Sequence, residues 1–253
     1  WHKSDDYKPL LELRRLKQLS DEDMVNFQRG ALLDSTSPNP SVETLLHAFL
    51  PHKFVDHTHS TAVLALTDQT SDAKLLREVY GDRVALVPYV KPGFDLSLAA
   101  ARVFDAHPQV EGLILRKHGI FSFGETARVA YERMIDLVTL AERRLARGKR
   151  RVFASAKLPA RIAPVAKVAP LLRGCLAIPS GDLDVADPKR MVLAFRTNRA
   201  IRQYVDGARV RRYSQVGVAT PDHTIRTKNW PLIVPAPAAD ELDAFKAAAE
   251  AAV

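Results

Sequence analysis

His57 and His59 stand two residues apart in FVDHTHSTAV, residues 54–63, directly after an apolar run. On a β-strand, residues i and i+2 point to the same side, so both imidazoles can face one ion. A third histidine, His118, closes another apolar run in VEGLILRKHG, with Gly119 allowing a sharp exit. Three histidines with an open fourth position are the ligand set of a catalytic Zn²⁺ site. Spacing alone also permits a plainer reading: a surface pair and an unrelated core histidine. His223 in TPDHTIRTK forms a cationic cluster with Arg226 and Lys228. That cluster could close over a phosphate or over the metal, or it is a surface loop started by Pro221 and Asp222. His47 reads as a packing residue.

The elements that must position these residues are legible in outline. Residues 8–33 read as helical, with Ser20 as N-cap ahead of the acidic DED. DSTSPNPS, residues 34–41, reads as a loop, and Ser41 as the cap of a short helix, VETLLHAFL. KFVDHTH follows as a strand. Helices are then expected at 60–67, 71–80 and 95–106, strands at RVALVPY, VEGLILRKHG and IFSFG, and a long amphipathic helix from Glu125. That helix is apolar at Val129, Met134, Leu137, Val138, Ala141 and Leu145. Alternating strands and helices argue for a layered α/β domain, and by themselves for a parallel sheet. After about residue 151, prolines at 159, 164, 170, 179 and 188 break the chain into short pieces. RMVLAFR reads there as a strand, and the residues from Asp240 as an Ala-rich helix.

Composition narrows the class. With 253 residues, 47% hydrophobic and 26% charged, the chain reads as a soluble protein able to bury a sizeable core. No apolar run approaches the roughly 18 residues of a membrane span. The polar start, WHKSDDYKPL, lacks both a signal-peptide core and an initiator Met, so the front of the domain is expected upstream. The lone Cys175 excludes an internal disulfide framework and fits a cytoplasmic location. The net charge of +8 favours anionic ligands. Its densest run, RRLARGKRR, residues 143–151, ends a helix and has no interleaved aromatic residues. A solvated helix end therefore explains it better than nucleic-acid binding.

Taken together, SVETLLH, VDHTHSTAV and KHGIFSFGETARVAYERM resemble the class II aldolase/adducin family, over about residues 30–147. The resemblance implies a three-layer α/β/α sandwich around a mainly antiparallel central sheet, and a tetramer with its site at a subunit interface. Partner subunits would then cover the apolar face of the long helix. It implies one Zn²⁺ per chain on His57, His59 and His118. It makes Glu43 the acid/base beside the metal, rather than simply an acidic first-turn residue, and Ser41 a phosphate contact. Tyr89 becomes a candidate proton donor, although a Tyr packed at a strand end fits it as well. The substrate would be a ketose 1-phosphate cleaved with zinc as Lewis acid. The chain departs from the family pattern upstream of Glu43, where Gly30 replaces a Gly-containing phosphate loop.

HAFLPHKFVDHTH, REVYGDRVALVPYVKPGFDL and TPDHTIRTK carry a closer resemblance. It is to the aldolase part of bifunctional rhamnulose-phosphate aldolase/short-chain alcohol dehydrogenases. This implies cleavage of rhamnulose 1-phosphate to dihydroxyacetone phosphate and lactaldehyde. It also implies an aldolase-like domain over residues 1–151 and an extension over 152–253 that leads to a dehydrogenase domain. The chain itself contains no glycine-rich dinucleotide turn. Epimerases, dehydratases and decarboxylases share this fold and metal set, and adducin-type assembly modules share the fold without the histidines.

Overall fold

A computed structural model describes residues 8–148, 153–179 and 188–253 of the chain. His2, the basic residues 149–151 and the boundary drawn at residue 151 lie outside them. Among the described residues the order is α1 (Lys8–Glu12), α2 (Asp21–Gly30), α3 (Thr44–Phe49), β1 (Phe54–Thr58), α4 (Thr61–Thr67), α5 (Asp72–Tyr80), β2 (Val84–Val87), α6 (Phe94–Ala106), β3 (Gly112–Leu115), β4 (Gly119–Gly124) and α7 (Ala127–Ala146). Then follow α8 (Val165–Cys175), α9 (Arg199–Val205), α10 (Val210–Tyr213), α11 (Pro221–Arg226) and α12 (Leu242–Glu250). Two compact units divide them. The first runs to Gly148 and includes Ala219–Thr227; the second runs to Val218 and resumes as Lys228–Val253.

In the first unit the four strands lie in the order β1-β4-β3-β2. β1 and β3 flank β4 antiparallel, and β2 joins β3 in parallel. The sheet is mixed, so alternation alone misleads: IFSFG turns back as a hairpin strand instead of crossing over through a helix. Side chains alternate across the sheet and build a core on each face. Leu113, Leu115, Phe121 and Phe123 meet Leu96, Ala100 and Phe104 of α6 on one side. Ile114 and Ile120 meet α4, α5 and Met134, Leu137 and Ala141 of α7 on the other. Helices on both faces give the three-layer α/β/α arrangement.

α6 serves two cores because apolar residues repeat on two stripes. Leu96, Ala100 and Phe104 face the sheet, while Phe94, Leu98 and Ala101 pack on α1, α2 and α3. Three helix starts are fixed by hydroxyl caps. Ser20, Ser60 and Thr126 accept from the backbone N–H three residues on. Residues 8–33 are not one helix. A 3-10 turn at Leu13–Arg15 ends α1, and α2 begins again after Ser20, whose N-cap geometry is incompatible with a continuing helix.

Among its described residues the second unit holds α8, α9, α10 and α12 with only isolated β-bridges, and Pro170 lies inside α8 instead of breaking it. Ala163, Val168 and Phe245 form its small apolar core, joining α8 to α12. RMVLAFR is not a strand: Lys189, just before it, makes one isolated bridge with Ile178, and Val192 is 95% exposed. An apolar run without a sheet edge to join has no ladder to form.

Candidate metal centre

Glu43, His57, His59 and His118 come together in the first unit, with their donor atoms all within 4.8 Å of one another. The three imidazoles point Nε2 at one carboxylate oxygen. Glu43 Oε1 lies 2.6 Å from His118 Nε2, 3.3 Å from His57 Nε2 and 3.5 Å from His59 Nε2. Only the His118 contact has hydrogen-bond geometry. The Nε2 atoms of His57 and His59 are buried without a hydrogen-bond partner among the described residues. Their other ring nitrogens explain why. His57 Nδ1–H donates to the Ile120 carbonyl at 3.0 Å, and His59 Nδ1–H donates to Asp222 Oδ2 at 3.1 Å. Those partners fix the tautomer that leaves an Nε2 lone pair facing inward, as metal-ligating histidines require. Three imidazole nitrogens and a carboxylate suit a divalent transition ion such as zinc.

The electrostatics of the cluster are those of an anion held among imidazoles. Burial pushes the Glu43 carboxyl up, but the His118 hydrogen bond and the close His57 and His59 imidazoles outweigh it and hold the group well below the ordinary carboxylate range. Burial pushes His57 down, so it favours the neutral form. The Glu43 carboxylate and Asp222 raise His59 against the opposing effect of burial. Binding a cation at the Nε2 atoms would displace protons from this cluster, which makes affinity pH-dependent.

Each residue owes its place to a local feature. His57 is on β1, opposite Phe121 of β4, whose ring stacks under it at 4.1 Å. His59 follows the end of β1 and keeps the i, i+2 relation. His118 is not on a strand. It lies in the turn between β3 and β4, where Lys117 takes the left-handed conformation at φ 60°. Gly119 opens β4 and provides clearance rather than a sharp exit. A Cβ there would sit 2.7 Å from the Thr58 carbonyl oxygen and 2.9 and 3.1 Å from the rings of His57 and His59. Arg116, which starts the same turn, clasps buried Asp72 at the head of α5 through two hydrogen bonds of 2.5 and 2.6 Å. Glu43 immediately precedes α3, and its N–H donates to Ser41 Oγ at 3.2 Å.

Glu43, His57, Ser41 and His47 line a cleft of ≈ 1060 Å³. His47 packs edge-on against Phe121, and burial pushes it down to about 4, so it is a neutral packing residue. Buried Gln28 also lines the cleft, and neither amide atom has a hydrogen-bond partner among the described residues. Tyr89 is 61% exposed and stands outside the four-residue cluster. His223 also stands outside it: Nδ1 pairs with Thr220 Oγ1 at 2.9 Å. Its neighbour Asp222 reaches the centre instead. Sequence reasoning missed Asp222, Phe121 and Gln28. Only Phe121 had a signal, since the strand pairing that brings His118 near His57 also brings Phe121 beneath it.

This arrangement agrees with what the chain is similar to. The profile described as "Class II Aldolase and Adducin N-terminal domain" matches residues 13–145, and the chain belongs to that family. A second profile, "Aldolase class II, second domain", matches residues 163–253. The uncharacterized oxidoreductase YuxG of Bacillus subtilis (strain 168) is 34% identical over 92% of this chain, which spans 33% of its length. A methylthioribulose-1-phosphate dehydratase of Pseudomonas savastanoi pv. phaseolicola (strain 1448A / Race 6) is 29% identical over 42% of this chain and 62% of its own. Among solved structures, the N-terminal class II aldolase domain of a conserved protein from Thermoplasma acidophilum is 36% identical. That match has a TM-score of 0.52 and covers 55% of this chain and 64% of that one. No helix among the described residues is long and apolar enough to cross a membrane.

Proposed function

We propose that the chain is a zinc-dependent aldehyde-lyase that cleaves a ketose 1-phosphate, rhamnulose 1-phosphate in the first instance, to dihydroxyacetone phosphate and an aldehyde. The observation that carries this reading is the convergence of three Nε2 atoms on the Glu43 carboxylate at the wall of a cleft large enough for a sugar phosphate. His57, His59 and His118 would hold the ion. When bound, it supplies Lewis acidity at substrate oxygens for the charge that develops as the carbon–carbon bond breaks.

The chain's own residues do the rest. Glu43 Oε1 is the oxygen placed to hold or deliver a proton at the carbon that loses its bond. The imidazoles around it keep it ionised, so it takes the proton from the hydroxyl on the carbon that becomes the aldehyde and returns it to the carbon that loses its bond. Ser41 Oγ accepts from the Glu43 N–H and still has its own proton to donate, which suits a phosphate oxygen. His47 and Phe121 support the His57 ring from behind and keep water from that side. Residues 8–148 with 219–227 supply every group used here, so the second unit needs no catalytic part. The oxidoreductase name of YuxG belongs to a protein of which this chain covers one third.

A dehydratase is the second reading, favoured by the methylthioribulose-1-phosphate dehydratase relative. The same carboxylate would then remove a proton next to the carbonyl while a hydroxyl leaves. Incubating the zinc-loaded chain with rhamnulose 1-phosphate and other ketose 1-phosphates, and following products by NMR, separates the two. The aldolase reading predicts an aldehyde and dihydroxyacetone phosphate, with Glu43→Gln lowering turnover about 10²–10⁴-fold. Loss of water with the carbon chain intact would replace it by the dehydratase reading.

A further inference from the structure

We propose that Asp222 is a positioning residue of the metal centre, holding the imidazole of His59 in the ligating tautomer and orientation. This rests on the reading of His57, His59 and His118 as metal ligands. Of the pair His57 and His59, His59 has the weaker anchorage in the sheet. His57 lies within β1, donates to the Ile120 carbonyl and stacks on Phe121. His118 is held in a three-residue turn braced by the Arg116–Asp72 pair. His59 lies one residue beyond β1, with its ring edge-on to His57 at 4.8 Å and tilted to His118 at 5.1 Å. The hydrogen bond its Nδ1–H gives to Asp222 Oδ2, at 3.1 Å, is what orients it.

Asp222 is built to do this. It lies 163 residues after His59 in the chain, yet Ala219–Thr227 belongs to the same compact unit as the histidines. Pro221 starts α11, the Thr220 hydroxyl pairs with His223 Nδ1, and the Thr227 hydroxyl donates to the His223 carbonyl. These contacts fix the short helix from its own ends. Arg226, one turn on, lies 3.9 Å from the other Asp222 oxygen. A carboxylate–imidazole–metal chain also raises the basicity of the ligating nitrogen, and its loss typically costs roughly 10–100-fold in metal affinity.

The test is Zn²⁺ affinity by competition with a chromophoric chelator, together with the visible spectrum of the Co²⁺-loaded chain. Asp222→Ala is expected to weaken Zn²⁺ binding roughly 10–100-fold and to change the Co²⁺ bands. Asp222→Asn keeps an acceptor for the Nδ1–H without the charge, and should fall between that variant and the unaltered chain. Ile225→Ala, on the same helix at a residue 75% exposed, should leave both readouts unchanged. Unaltered affinity and spectrum in Asp222→Ala would overturn the proposal while leaving the metal centre intact. An equal loss in Ile225→Ala would overturn it too, by making the effect one of helix folding. If the unaltered chain binds neither ion, the metal centre itself is wrong and the proposal falls with it.

Discussion

Gly119 is the residue on which the geometry of the centre is least forgiving. The histidine pair and the His118 turn approach each other across its missing side chain, and the nearest atom is a backbone oxygen that cannot swing away. Gly119→Ala is therefore expected to lower stability by about 1–3 kcal/mol, as overpacking does. It should weaken zinc binding at the same time. Urea unfolding and chelator competition on one sample would show both effects. A variant that lost stability but kept full zinc affinity would place the strain away from the rings. The histidine types and the i, i+2 spacing were legible in the sequence because strand geometry turns spacing into direction. The clearance at Gly119 was not, because it arises only when β1 and β4 pair.

At the scale of elements, the β3–β4 hairpin is the part that must hold still. Its turn carries His118, and the Arg116–Asp72 clasp ties that turn to the start of α5. Asp72 is 1% exposed, so removing its charge leaves a buried, poorly paired site. Asp72→Asn should cost about 1–3 kcal/mol. The Arg116 guanidinium holds the Asp72 carboxyl below its ordinary value of 3.8. The stabilisation is then complete above that value and lost as pH falls through the lower folded-state value. Acid titration of unfolding free energy should show that extra pH dependence below about pH 4 in the unaltered chain and lack it in Asp72→Asn. Matching acid limbs would count against the clasp.

Most elements around this hairpin were readable from periodicity and caps: α4, α5, α6 and α7 fall within a few residues of where apolar spacing places them. The sheet order was not readable. Whether IFSFG crosses over or turns back depends on a tight turn at Arg116–His118 that leaves little trace in composition. The break between α1 and α2 was missed for a different reason. The apolar spacing continues across it, and only the Ser20 cap marks the interruption.

For the whole molecule, the long helix α7 shows what remains to be covered. The apolar face assigned to a partner subunit is mostly buried in its own domain, since Met134, Leu137 and Ala141 are in the core beside the sheet. Val129 and Leu145 of that face are exposed at its two ends, and Tyr131 and Ile135, one turn apart, are the most exposed apolar residues of α7, at 62% and 49%. If the chain assembles through this helix, light scattering should give a multimer and Ile135→Glu a smaller species. A monomer at micromolar concentration would remove the oligomer from the account.

Three histidines and one carboxylate within 4.8 Å of one another should hold a metal ion, and metal content is the measurement that decides it. After dialysis against zinc and removal of excess, elemental analysis should find about one zinc per chain, and His57→Ala/His59→Ala should have none. A chain that stays metal-free when zinc is supplied, or a double variant that binds as much as the unaltered chain, would contradict the claim.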